Sequence, residues 1–316
     1  MFLSMTNCLS YFMIFFSMIL CISSDNWLFM WMSMEINMMS FIPLMYNFSH
    51  ESSSSMMKYF LIQTIMSNIF FFSMTIFMMK NFNQTLLTIT SLSLMTKMGM
   101  APFFFWLPPL IEHLPWMSIF FLLTIQKIIP LHIFSNINIM KNTLIMFIFM
   151  NLFMGSTLIF FVNSMRKILT YSSMTHLSWI LSNMITETNW ISYLIAYTFM
   201  TLTGILIFSH YNIMTLQQMP FTNINFKINL FIFILSNMGF PPFLGFYLKW
   251  MTLSNWNLNF LTNFMLILSS FTNMYFYMRC CFPLIMLQTK YSHSKQKMSS
   301  QYIMINIIIN SWPLIM

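Results

Sequence analysis

Four ionisable side chains stand inside stretches that are otherwise apolar. Glu35 lies in "WMSMEINMMSFIPL", Lys97 in "SLMTKMGMAP", Lys127 in "LLTIQKIIPL" and Lys249 in "PPFLGFYLKWM". A charge at the middle of a lipid-embedded helix costs about 2.5–3.5 kcal/mol even on the permissive insertion scale. Burial disfavours the charged form of an amine, and a nearby carboxylate favours it. A buried lysine whose acidic neighbour moves therefore binds and releases a proton near neutral pH, the chemistry of a proton or ion path. Arginine holds its proton too tightly for this, and Arg166 and Arg279 both fall at the ends of apolar runs. The interior cations are the ones that titrate. The competing reading is snorkelling to an interface or a structural ion pair. Snorkelling is difficult for Glu35 and Lys127, which sit mid-run, and stays open for Lys97 and Lys249. One Glu–Lys pair would account for Glu35 and a single lysine, leaving the other two.

Lys97 and Lys249 each accompany a chain break. "KMGMAPFFFWLPP" places Gly99 and Pro102 just after Lys97, and "NMGFPPFLGFYLKW" places Gly239, Pro241 and Pro242 before Lys249. Proline removes a backbone donor and glycine permits the dihedrals needed beside it. The bare backbone groups must face protein or a hydrated cavity, because lipid offers no partner. Interrupted segments at corresponding places in two halves point to an inverted-repeat transporter, with sites near the bilayer midplane.

The elements that must hold these residues follow from composition. Of 316 residues, 58% are apolar and 6% charged, against about 25% charged in a soluble domain. The solvent must largely be lipid, and a single integral membrane domain over 1–316 is expected. Apolar runs of about 20 residues lie near 3–22, 27–46, 57–79, 85–111, 116–136, 142–162, 168–186, 189–210, 228–254, 259–279 and 302–316. The expectation is an all-α polytopic protein of about eleven transmembrane helices, two of them interrupted. Polar connections are expected at 47–56, 211–227 and 280–301, the last facing inside before a short final helix.

Eight of the thirteen basic residues fall on one side of the alternating connections (Lys58, Arg166, Lys167, Lys227, Arg279, Lys290, Lys295 and Lys297), and two, Lys80 and Lys141, on the other. That asymmetry puts the N-terminus inside and, for an odd number of spans, the C-terminus outside. It also explains the net charge of +8 without nucleic acid, since no basic run is interleaved with aromatics. The four cysteines show no metal spacing and read as buried small hydrophobes. No Gly-rich phosphate loop or Cys cluster suggests a redox or nucleotide site on this chain. The N-terminal run, without a basic region or cleavage site, reads as a retained first span.

At these residues the sequence resembles a known family. "EINMMSFIPL", "KMGMAPFFFW", "WMSIFFLLTIQKIIPL", "RKILTYSSMTHLSWIL" and "GFPPFLGFYLKW" look like the successive signatures of the subunit 2 family of animal mitochondrial NADH dehydrogenase, in order and at matching spacings from about residue 27 to 260. The resemblance implies an antiporter-like, proton-pumping membrane subunit of respiratory complex I that lacks three N-terminal helices of its bacterial relatives. Glu35 then matches the glutamate that pairs with the lysine of the first broken helix, Lys97. Lys127 matches the central lysine and Lys249 the lysine of the second broken helix. The implied proton route runs along the membrane plane and is driven by quinone reduction elsewhere. NADH, FMN, iron–sulfur clusters and ubiquinone would be bound by other subunits. Implied partners are the other membrane-arm subunits, including neighbouring antiporter-like ones, and membrane lipids such as cardiolipin. The implied location is the mitochondrial inner membrane, with the N-terminus towards the matrix and the C-terminus towards the intermembrane space.

Two departures from the family pattern stand beside the first break. The usual "APFHFW" is "APFFFW", so Phe104 replaces a histidine, and "FPE" is Leu107-Pro108-Pro109, which loses a carboxylate. Glu112 is the candidate replacement. His176 in "YSSMTHLSWI" matches a family histidine and is a candidate inward relay, with a locally satisfied histidine as the alternative. Two other function classes stay open on the sequence: a free-standing cation/proton antiporter, and a structural subunit whose buried charges are remnants.

Overall fold

The structure, a computed structural model, describes residues 2–47, 50–79, 84–137, 140–186, 188–221, 224–254 and 259–286. The expected span at 302–316, the connection from 287 onward, Lys80 and Glu187 lie outside the described residues. The described chain is almost entirely helical and divides into two compact units, Met1–Leu144 and Ile145–Met316. Among the described residues, six helices are long and apolar enough to cross a bilayer.

In the first unit, α1 (Phe2–Ser23) packs on α2 (Trp27–Met45), α2 on α3 (His50–Met79), and α3 on α4 (Gln84–Met98). After the break come the short α5 (Leu107–Ile111), then α6 (Trp116–Leu123) and α7 (Ile125–Asn136), with α7 against α1, α2 and α4. Exposed apolar side chains such as Leu9, Phe12, Ile19 and Phe72 form the surface that lipid requires.

Helix α3 corrects one expectation. Residues 50–56 were expected as polar connection, yet α3 starts at His50. The serines make this possible by bonding back to the helix: Ser54 Oγ donates to Glu51 O at 2.9 Å and Ser55 Oγ to Ser52 O at 2.7 Å. Such back-bonding lets a hydroxyl satisfy itself inside a helix. The run 116–136, expected as one helix, is interrupted at Thr124 (φ −121°, ψ −74°), three residues before Lys127. Thr124 Oγ1 donates to Phe120 O at 2.7 Å, and Pro130 inside α7 has no N–H to give the carbonyl four residues back.

In the second unit, α8 (Lys141–Leu158), whose first turn belongs to the first unit, leads to α9 (Met165–Ile185), α10 (Trp190–Tyr211), α11 (Ile224–Met238), α12 (Leu244–Leu253) and α13 (Phe260–Met286). Helix α13 continues to Met286, seven residues past the expected end of that span, and a 3-10 stretch at Leu216–Phe221 occupies part of the connection expected at 211–227. Helix α9 packs against α10, α12 and α13. It is buried almost throughout, including Ser172, Ser173, Thr175, His176, Ser178, Ser182 and Asn183. A helix enclosed by protein can be polar where one facing lipid cannot. Asn151 Nδ2 donates to Met174 O at 2.6 Å and Asn273 Nδ2 to Thr175 Oγ1 at 3.2 Å, tying α8 and α13 to α9.

Helices α11 and α12 meet backbone to backbone at Gly245, where an added Cβ would overlap the Ser236 carbonyl oxygen. Gly245→Ala must therefore push the two halves of this broken helix apart. The expected cost is about 1–3 kcal/mol, the range for overpacking, read as a lowered thermal transition of the solubilised protein.

Candidate functional site

Both breaks are built by one backbone device. At the end of α4, Gly99 adopts φ +69°, Gly99 N–H donates to Thr96 O at 3.0 Å and Met100 N–H to Met95 O at 3.0 Å. At the end of α11, Gly239 adopts φ +81°, Gly239 N–H donates to Ser236 O at 3.1 Å and Phe240 N–H to Leu235 O at 3.2 Å. This is the paired Schellman pattern, which needs a left-handed residue best supplied by glycine. Pro102, in a cis peptide with Ala101, and the Pro241-Pro242 pair then keep the chain from resuming the helix at once.

The two breaks differ in what satisfies their last carbonyls. At the first, neutral groups serve: Trp106 Nε1 donates to Thr96 O at 3.0 Å and Gln63 Nε2 to Lys97 O at 3.5 Å. At the second, the lysine itself serves, with Lys249 Nζ donating to Met238 O at 2.9 Å and Asn237 O at 3.4 Å. A charged donor to carbonyls is a stronger bond than a neutral one.

In the first unit, Lys97 and Lys127 are buried, on α4 and α7. Glu35 on α2 is half-buried, accepts a hydrogen bond from Ser67 Oγ of α3, and interacts electrostatically with Lys97. Residue Glu35 is also part of the wall of a largely apolar groove of about 470 Å³ along α1 and α2, with Thr6, Ser10, Met39 and Pro43. Lys97 lines a separate cavity of about 20 Å³ together with Asn37, Tyr59, Gln63 and Gln126. The sequence reading missed these neutral polar residues. Their signal was present: Asn37 lies two residues from Glu35 and Gln126 adjoins Lys127, each in an apolar run.

Phe104 is buried in the turn after the first break, its ring 4.3 Å from that of Phe105. Pro108 and Pro109 fall in the first turn of α5, where a missing N–H costs little. Glu112 stands half-buried at the C-terminal cap of α5. Its neighbour His113 pairs with Glu51 at the start of α3 across 3.0 Å.

In the second unit, Lys249 is buried on α12, which packs against the α9 that carries His176. His176 is buried as well, its Nδ1 3.0 Å from Tyr193 Oη, with the Tyr197 ring 5.0 Å away. The tyrosines of α10 are a second set the sequence reading missed, because aromatics at helical spacing look like ordinary packing. Among the described residues no three His, Cys, Asp or Glu side chains gather to hold a metal.

A sequence model of the family described as "NADH:quinone oxidoreductase/Mrp antiporter, TM" matches residues 24–275. The chain belongs to this family. Among relatives of this antiporter-like family, the NADH-ubiquinone oxidoreductase chain 2 of Anopheles gambiae is 34% identical, over 94% of this chain and 92% of that one. The protein of the same name from Rhipicephalus sanguineus is 36% identical, over 93% and 95%. Among solved structures, respiratory complex I from Thermus thermophilus with bound aureothin contains a chain that superposes with TM-score 0.84 at 16% identity, covering 96% of this chain and 76% of that one. The Mrp complex of Dietzia sp. gives TM-score 0.75 at 13% identity, over 85% of this chain and 58% of that one. At such identities the likeness is one of fold.

Replacing Lys249 by Met removes the donor from the Asn237 and Met238 carbonyls. The expected loss is about 1–3 kcal/mol of local stability, seen as faster hydrogen exchange across residues 236–243. Exchange unchanged there would contradict the capping role.

Proposed function

We propose that this chain is the antiporter-like, proton-translocating membrane subunit of NADH:ubiquinone oxidoreductase, respiratory complex I. The observation that carries the reading is the repeated device: each unit holds one helix broken at a Schellman glycine and one buried lysine attached to that break. A break in lipid-shielded protein needs polar company, and an ammonium group there changes charge by a single proton. In this reading Glu35, Lys97 and Lys127 of the first unit and Lys249 of the second are the proton-carrying groups. His176 is a relay, and Glu112 stands in for the family carboxylate replaced by Pro109.

The chain is a multi-pass membrane protein. The finer reading has eleven spans in an inverted repeat that lacks three N-terminal helices, within the mitochondrial inner membrane, with the N-terminus towards the matrix and the C-terminus towards the intermembrane space. The chain carries no redox centre in this reading; NADH, FMN, iron–sulfur clusters and ubiquinone are bound by other subunits. Its partners are the neighbouring antiporter-like and other membrane-arm subunits, with lipids such as cardiolipin around them. The complex belongs to the NADH:ubiquinone reductases that translocate protons.

Lys127→Met in the assembled complex is expected to lower the protons moved per electron while leaving assembly intact. A normal ratio would contradict the reading. A free-standing antiporter is distinguished by vesicles containing this chain alone: cation/proton exchange there would favour that alternative, and none is expected.

A further inference from the structure

The cavity beside Lys97 lies where α2, α3, α4 and α7 come together, and its polar lining is organised around one amide pair. Asn37 Nδ2 donates to Gln126 Oε1 at 2.9 Å, and Gln126 Nε2 donates back to Asn37 Oδ1 at 3.1 Å. Tyr59 Oη donates to Gln126 Oε1 at 3.3 Å. An amide has two N–H donors and an oxygen with two lone pairs. These bonds leave each amide one further N–H and leave Asn37 Oδ1 one further lone pair. At about 20 Å³ the cavity exceeds the 10–15 Å³ or so that a single water requires. It also offers the two to four polar partners that keep such a water in place.

We propose that this cavity is a binding site for one water molecule, held by the Asn37–Gln126 pair against Lys97, and that Gln126 and Asn37 are positioning residues for proton exchange at Lys97. The proposal rests on the reading of Lys97 as a proton carrier. The amide is suited to the task by its chemistry. When Lys97 is protonated it donates to the water, which then needs acceptors on its other side. When Lys97 is neutral it accepts from the water, which then needs donors. An amide pair supplies both, and its own charge never changes, so it supports the water in both orientations. A carboxylate in its place would hold the lysine charged.

A high-resolution map of the assembled complex should show one water in hydrogen-bond reach of Lys97 Nζ and Gln126, and an empty cavity would overturn the proposal. Gln126→Leu should lower proton-coupled turnover about tenfold, equivalent to about 1.4 kcal/mol, and alter its pH profile. Asn37→Leu combined with Gln126→Leu should be no worse than Gln126→Leu alone, since the amides act as a unit. Gln126→Leu with unchanged rate and pH profile would also overturn it. Lys97→Met separates the two ideas. Normal pumping in that variant would remove the functional reading, whereas normal pumping in Gln126→Leu with pumping lost in Lys97→Met would remove only the water's role.

Discussion

A backbone carbonyl deprived of its helical N–H partner inside a membrane must find another donor, and much of this structure is organised by that need. Each broken helix ends in the same two backbone bonds around a left-handed glycine. Each then leaves carbonyls that the Schellman bonds do not reach. An orphaned polar group in an apolar medium costs several kcal/mol, so the donors supplied are as much a part of the fold as the helices. Gln63 supplies one to the Lys97 carbonyl at the first break, where Trp106 adds a second bond to the Thr96 carbonyl, and Lys249 supplies them at the second.

The difference between the breaks sets what each lysine touches. Where a tryptophan and a glutamine donate to the carbonyls, the Lys97 side chain lines a small polar cavity. Where the lysine itself caps the helix, its ammonium group is bound directly to the backbone. A neutral Lys249 would cap those carbonyls less strongly than its ammonium form, so on the proposed reading protonation and local helix geometry would be linked at that site. The polar interior of α9 extends the same logic, since serines, threonines and a histidine are tolerated because protein surrounds them.

The sequence announces what depends on residue type. Glycine followed by proline inside an apolar run marks both breaks, and isolated lysines mark the groups beside them. It conceals what depends on who faces whom. The start of α3 was hidden because serines that read as loop residues bond back to their own helix. The interruption at Thr124 was hidden because no glycine or adjacent proline signals it. The Asn37–Gln126 pair joins residues far apart in the chain, so each amide is visible beside its charged neighbour while their pairing is not. Phe104 and Pro109, odd against the family pattern, become intelligible once one is seen buried in the turn and the other in the first turn of a short helix.

The central claim is that buried ammonium groups in this chain matter because they exchange protons, and charge alone does not suffice. Lys249→Arg tests it most directly, because arginine keeps the positive charge and the donors for Asn237 and Met238 yet does not release its proton. Measured in the assembled complex oxidising NADH, the protons moved per electron should fall while the complex stays assembled. An unchanged ratio would show that a fixed charge serves as well, and would contradict the account.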